Sequence, residues 1–293
     1  MKKKINKASL FTTIFFTLML FVGVSVMLYP IISDWWNSKV QSRAVANYEV
    51  AVANMDTDRA DKMIEKANKY NEKLAKLDSP FVNYDEITGY DSTLNISGTG
   101  IMGYISIPVI QVELPIYHGT SEEVLNIAAG HLEGSSLPVG GANTHAVISA
   151  HRGLPSARLF TDLDRIEKGD VFTINILDRI YTYEVEEILI VEPHEINTLS
   201  IIPNSDYVTL MTCTPYGVNT HRLLIRSHRI ETVYKKEYRV VAEMVKIDPM
   251  LVIPFVSAPL FLILICVWVF GGKRKPKSPR DIAAQLVAAG REE

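Results

Sequence analysis

Cysteine is nearly absent from this chain: two thiols, Cys213 and Cys266, serve 293 residues. A disulfide framework needs an even set of cysteines within one folded region, so the chain is not expected to be stapled by one. Cys266 lies in an apolar run and reads as a small hydrophobe, which leaves Cys213 alone in the rest of the chain. Excess positive charge is missing too. With a formal net charge of -3, the chain lacks the basic field of a nucleic-acid binder, and nucleic acid is excluded as a partner. No phosphate loop, dinucleotide fingerprint, paired carboxylates at a recognisable spacing or short metal-ligand spacing occurs, so neither cofactor nor metal is expected.

Charge disappears altogether from Ala8 to Ser33, where Leu10 to Tyr29 is dominated by Leu, Phe, Val, Ile and Met. About 20 apolar residues at roughly 1.5 Å each match a hydrocarbon core of roughly 30 Å, so residues 1–33 read as a short cytoplasmic tail and a transmembrane helix. A cleaved signal peptide has a shorter apolar segment and a small-x-small cleavage site, which is not seen here. A second uncharged run covers 249–272, is interrupted by Pro254 and Pro259, and is followed by Lys273, Arg274, Lys275, Lys277 and Arg280 in a basic tail at 273–293. Membrane helices tolerate such prolines better than soluble ones. Lys2, Lys3, Lys4 and Lys7 flank the first run as the basic tail flanks the second. The positive-inside rule then places both termini in the cytoplasm and residues 34–248 outside a membrane whose lipid surrounds the two spans. A single thiol outside the membrane favours chemistry over architecture.

Val45, Tyr48, Val52, Met55, Met63, Ala67, Tyr70, Leu74 and Leu77 fall mostly at spacings of three and four, with a lapse between Met55 and Met63. This predicts an amphipathic helical stalk within residues 34–100, lying against a globular domain. After Pro80 the pattern becomes that of strands: Gly103–Ile107, Val112–Tyr117, Ala146–His151, Val171–Leu177, Ile180–Val191, Tyr207–Cys213 and His221–His228, separated by Gly, Pro, Asn and Asp. Seven or eight short strands over 101–235 predict a mainly β closed or sandwiched domain, joined by a linker at 236–248 to the second span. Two short helices are expected within it. Thr120 and Glu123 make a capping box before Val124–Ala129, and Leu154–Phe160 is the other candidate.

The chemistry concentrates at strand ends. Tyr207-Val208-Thr209-Leu210-Met211-Thr212-Cys213-Thr214-Pro215 is an apolar strand that ends at the thiol, because Pro215 has no amide to continue a ladder. A turn-rich segment follows, and a new strand opens at His221-Arg222. If the two strands pair as a hairpin, Arg222 faces Cys213 across its mouth, where a guanidinium favours thiolate and can hold an oxyanion. A thiol nucleophile also needs a proton-transfer partner, and seven histidines compete for that role. His151, at the end of its strand, is the candidate. His145 shares its strand face but stands roughly 20 Å away at about 3.3 Å per residue, so the two do not serve one site together unless the strand bends. The same distance counts against a zinc site of His145, His151 and Cys213. His118, His131, His194 and His228 are expected at turns or on the surface. A membrane-tethered cysteine protease and a non-catalytic surface protein with an inert Cys213 remain alternatives.

Thr209-Leu210-Met211-Thr212-Cys213 resembles the TLxTC signature of sortases, with His151 and Arg222 in the family's His, Cys, Arg order. From about Gly103 to Ile230 the segments Leu114–Thr120, Gly130–Gly134, His151–Pro155 and Thr212–Arg222 resemble the pilus-assembling class C. The resemblance implies an eight-stranded β-barrel on a Gram-positive cell surface and pilin substrates carrying an LPxTG-like sorting signal. Cys213 would be the nucleophile, His151 the acid and base, and Arg222 the oxyanion or backbone holder, with a lysine of an acceptor pilin taking the acyl group. Attachment to the cell wall, as in housekeeping-type sortases, is the other outcome open to this reading. Class C sortases also resemble one another in a lid, an Asp-Pro-aromatic segment over the cysteine. Asp78, Pro80 and Phe81 stand in that place, but Ser79 separates acid from proline, so the spacing is shifted. A plain helix stop and turn is the alternative there.

Overall fold

The computed structural model describes residues 7–96 and 98–232. The linker, the second apolar run and the basic tail lie outside them. The chain opens with helix α1, Lys7–Ala53. From Phe11 this helix is long and apolar enough to cross a membrane, and none of its most apolar window is buried.

From Tyr29 onward the helix belongs to the same compact unit as the strands that follow. There its side chains acquire partners. Val45 and Tyr48 are buried, and the Tyr48 hydroxyl donates to the Met102 carbonyl at 3.0 Å while accepting from the Leu177 amide at 2.7 Å. Burial pushes that hydroxyl up to about 12. The lapse in the sequence pattern is a break between helices: α1 stops at Ala53, and α2 (Thr57–Leu74) starts behind Asp56, whose carboxylate caps the Asp58 amide at 3.2 Å. Ala60, Ile64, Ala67, Tyr70 and Leu74 form the buried face of α2 and join the main apolar cluster of the domain. Asn71, also on that face, clamps the Leu137 peptide, donating to its carbonyl at 3.0 Å and accepting from its amide at 2.7 Å.

Eight strands close into a barrel: β1 (Ile101–Ile107), β2 (Val112–His118), β3 (Ala129–His131), β4 (Thr144–Ser149), β5 (Val171–Ile176), β6 (Arg179–Val191), β7 (Asp206–Thr214) and β8 (His221–Ile230). Around the ring the order is β1-β2-β3-β4-β7-β8-β6-β5, and β5 pairs back to β1. Successive side chains alternate between faces, so Ala146, Ile148, Val208, Leu210, Leu223 and Ile225 fill the interior. Their neighbours Val147 and Leu224, with Val191 and Leu199, form a second apolar cluster on the outer wall.

The structure corrects several local expectations. Strand β3 is absent from the sequence reading because Ala-Gly-His is too short to show a period. The helix near residue 122 is capped by Ser121 rather than Thr120: the Ser121 hydroxyl accepts from Val124 N at 3.4 Å, and the helix spans only Glu122–Leu125. Leu154–Phe160 is not helical but a looped segment with a Leu154–Ala157 bridge, and Leu159 takes a left-handed φ of 39°. His131 is neither at a turn nor on the surface. It is fully buried in β3, its Nε2 donating to Ser136 O at 2.8 Å and its Nδ1 accepting from the Tyr90 hydroxyl at 2.8 Å. Burial lowers its pKa to about 4.

Candidate active site

The three residues singled out in the sequence meet at one rim of the barrel. Strands β7 and β8 pair antiparallel, and Cys213 stands directly opposite Arg222. Strands β4 and β7 pair in parallel with Ser149 opposite Met211. Two further bonds continue that register past the end of β4. The Ala150 amide donates to Met211 O at 3.2 Å, and the Thr212 hydroxyl donates to Ala150 O at 2.8 Å. Ala150 is therefore level with Thr212. Cys213 and Arg222 are paired across β7 and β8, and His151 follows two residues beyond the end of β4, on the strand beside β7. Cys213 and Arg222 share the strand parity of the outer-wall residues Met211 and Leu224, so they point to that face and not into the barrel. Each is half-buried, and the Cys213 thiol is unpaired with any other cysteine.

The surroundings of each member differ. Arg222 makes no ion pair among the described residues; its Nη1 reaches only the carbonyls of His221 at 3.2 Å and Asn219 at 3.4 Å. A guanidinium so lightly engaged keeps most of its five donors for another molecule. The His151 ring likewise has no hydrogen-bond partner among the described residues, and its placement depends on its backbone, which accepts from Phe160 N at 3.1 Å. His145 is the opposite case. It is fully buried on β4, its Nδ1 donating to Ser200 O at 3.0 Å and its Nε2 accepting from the Thr209 hydroxyl at 2.7 Å. Burial holds its pKa below the usual histidine range. Both nitrogens are committed, so His145 supports the wall.

Below Cys213 and Arg222 the outer wall is apolar. Met211 pairs with Leu224 one same-face step from Cys213 and Arg222, and Val147, Val191 and Leu199 surround them. Phe81 packs against this cluster. It is carried by the short helix α3 (Pro80–Asn83), which Ser79 enters with a left-handed φ of 55°. Gly134 makes the close approach possible, since a Cβ there would stand 2.7 Å from Phe81 Cα and 2.8 Å from Pro80 O. Asp78 is exposed and makes no ion pair with Arg222 or any other described residue. The inserted Ser79 thus leaves the ring against the wall and the acid in solvent.

Arg152 falls within the His151–Pro155 motif, and its side chain is only 8% exposed. It bridges Asp164 Oδ2 at 2.5 Å and the Thr214 hydroxyl at 3.4 Å, and lies 5.8 Å from the centroid of the Tyr216 ring. It ties together the residues that immediately follow His151 and Cys213. No spacing signal announces such a contact, because Arg152 and Thr214 meet only through the parallel β4–β7 pairing. Among the described residues no group of His, Cys, Asp and Glu could hold a metal ion.

A closed eight-stranded barrel of this kind matches a known family. The sortase domain model matches residues 105–230. Sortase A of Streptococcus agalactiae serotype III is 30% identical over 135 residues, covering 45% of this chain and 54% of that protein. Sortase D of Bacillus subtilis is 30% identical over 115 residues, covering 39% and 55% respectively. The chain thus spans about half the length of the curated relatives it matches. Solved structures match at greater length. Sortase C1 of Streptococcus agalactiae shares 49% identity with a TM-score of 0.61, covering 65% of this chain and all (100%) of that one. Sortase C of Clostridium perfringens SM101 shares 41% with a TM-score of 0.56, covering 65% and 99%. The chain belongs to the sortase family. Its resemblance to class C fits these neighbours, one of which is described as sortase C1 of a pilus island.

Proposed function

We propose that the protein is a membrane-anchored cysteine transpeptidase that cleaves an LPxTG-like sorting signal of pilin subunits and joins the acyl group to a lysine of another pilin. The observation that carries this reading is the pairing of Cys213 with Arg222 above an apolar strip of wall, with His151 beyond the end of the adjacent strand. A thiolate at Cys213 attacks the carbonyl of the signal's threonine. The carbonyl π electrons move to oxygen, and the always-charged fork of Arg222 holds the oxyanion or the adjoining peptide. Collapse of this intermediate breaks the peptide bond and leaves a thioester on Cys213. His151 protonates the departing amine. In the second half an acceptor lysine amine attacks the thioester, His151 removes its proton, and Cys213 leaves as thiolate. The apolar strip suits the leucine and proline of the signal, and Phe81, with Asp78 and Pro80 as the start of its segment, acts as a lid over that strip. Residues 1–33 and 249–272 are read as two membrane spans with both termini cytoplasmic and the barrel outside. The apolar N-terminal helix found among the described residues and the sortase fold are compatible with a membrane anchor, and the second span lies outside the described residues.

The test is mass spectrometry of the protein incubated with a sorting-signal peptide and a lysine-containing acceptor peptide. A Cys213 thioester followed by an isopeptide-linked product is expected. Hydrolysis alone, even with excess amine, would instead make the protein a cysteine protease, and transfer only to a cell-wall precursor amine would make it a wall-anchoring enzyme.

A further inference from the structure

The looped segment after His151 is held from outside by the helix that leads out of the apolar N-terminal run. Asp34 Oδ1 accepts from the Arg158 amide at 2.7 Å, and Asn37 Nδ2 donates to the Ser156 carbonyl at 2.7 Å. The two side chains lie three residues apart on α1, on the face that continues through Gln41 to buried Val45 and Tyr48. They meet two backbone groups that no other described hydrogen bond satisfies. The segment is otherwise closed at its base by Phe160 N to His151 O at 3.1 Å and by Gly153 N to the Thr161 hydroxyl at 3.2 Å. Between these ends the chain bends through the left-handed Leu159, with Ala157 and Phe160 buried beneath it. Because no side-chain bond orients the His151 ring, its placement is inherited from this segment.

We propose that Asp34 and Asn37 are positioning residues for His151, so that α1 is a structural part of the active site as well as the carrier of the apolar run. This rests on the transpeptidase reading for the role of His151, whereas the geometry of the clamp does not. Pinning the tip of the segment narrows the positions its base can take. A misplaced imidazole slows proton delivery to the leaving amine while leaving the binding wall on β4, β7 and β8 intact.

The experiment compares the full chain in detergent micelles with Asp34→Ala/Asn37→Ala, Asp34→Asn and Gln41→Ala. The double variant is expected to lose about 3- to 10-fold in kcat, with KM for the sorting peptide unchanged. Asp34→Asn keeps an acceptor oxygen and should stay within about 2-fold of wild type. Gln41 lies on the same helix but donates to Ile127 O at 2.8 Å, away from the His151 segment. Its alanine variant is the control for helix docking, and kcat should not change. Amide exchange at Arg158 and Phe160, measured also in Asn37→Ala alone should the double variant unfold, is expected to quicken in every variant that removes a clamp bond. Unchanged exchange at those two amides, or a kcat loss in Gln41→Ala equal to that of the double variant, overturns the proposal. A wild-type chain that forms no thioester refutes the catalytic reading instead, and the exchange rates still decide whether the clamp exists.

Discussion

If Phe81 is a lid, removing its ring should expose the thiol. Full burial of a phenylalanine side chain is worth about 1.5 to 3 kcal/mol. Phe81 is only partly buried against the outer-wall cluster, so about half of that, roughly 0.75 to 1.5 kcal/mol, holds it down. No ion pair adds to this, since Asp78 has no charged partner among the described residues. At about 1.4 kcal/mol per factor of ten, the closed form outweighs the open one by roughly 3- to 12-fold. Phe81→Ala should therefore speed alkylation of Cys213 by a small thiol reagent up to that ratio, and Asp78→Ala alone should leave the rate unchanged. The assay follows the mass of the alkylated protein over time in a Cys266→Ser background, with the melting temperature as a check that the barrel is intact. Equal rates for wild type and Phe81→Ala would refute the lid and reduce α3 to a connector. A large acceleration by Asp78→Ala would refute the claim that the inserted Ser79 has uncoupled the acid.

Cys213→Ala should form no thioester with the sorting peptide, and His151→Ala almost none. Arg222→Lys should lose at least about 100-fold in kcat/KM, because a point charge does not replace a planar fork beside an oxyanion, and near-wild-type activity of the lysine variant would contradict its role. His145→Ala should destabilise the fold by about 2 to 4 kcal/mol in urea titration, since it strands Ser200 O and the Thr209 hydroxyl and leaves a cavity, yet thioester yield per folded molecule should not change. The barrel should weaken in acid. His131 and His145 are held neutral, with folded pKa values below the unfolded value of about 6.5, so the unfolded chain takes up more protons as pH falls from about 6.5 to about 4, and the stability these groups hold at neutral pH is lost over that window. Urea titrations at pH 7 and pH 4.5 measure the slope, and His131→Asn should make it shallower; an unchanged slope would refute the assignment. Protease added to protoplasts should digest the region between Asp34 and Asp248 while an epitope at Glu293 survives, and loss of that epitope would refute the two-span topology.

Much of the site was legible because its parts lie at strand ends, where a proline or a turn marks the edge of an apolar run. Pro215 stopped β7 beside Cys213, and the short hairpin placed Arg222 across from it without any knowledge of the ring. The placement of His151 on the strand beside Cys213 was not legible in this way. It depends on the parallel pairing of β4 with β7, which joins residues 62 apart in the chain, and no local pattern encodes that. The family order of His, Cys and Arg supplied it instead. The same limit explains His131 and β3. A three-residue strand is stabilised by its neighbours rather than by its own periodicity, so its histidine looked like a turn residue until Tyr90 was seen to cover it. Leu154–Phe160 failed for a different reason. Its apolar residues sit at helical spacing, but they are buried from an irregular loop pinned by α1, and the tertiary contacts override the local preference.

Closure of the barrel has a consequence for how an extended peptide can be read. Many proteins capture such a peptide by adding it to an exposed sheet edge, where main-chain bonds give affinity whatever the side chains. Here every strand already has a neighbour on both sides, including the β5–β1 seam. On the proposed reading, a sorting signal laid along the wall would be gripped chiefly by side chains, not by a ladder of amides added to a free sheet edge. Selectivity would then rest on wall side chains that keep some exposure, such as Met211, whereas Val147 and Leu224 are buried within the cluster, and exchanging Met211 should retune which signal is accepted while the barrel stays as it is.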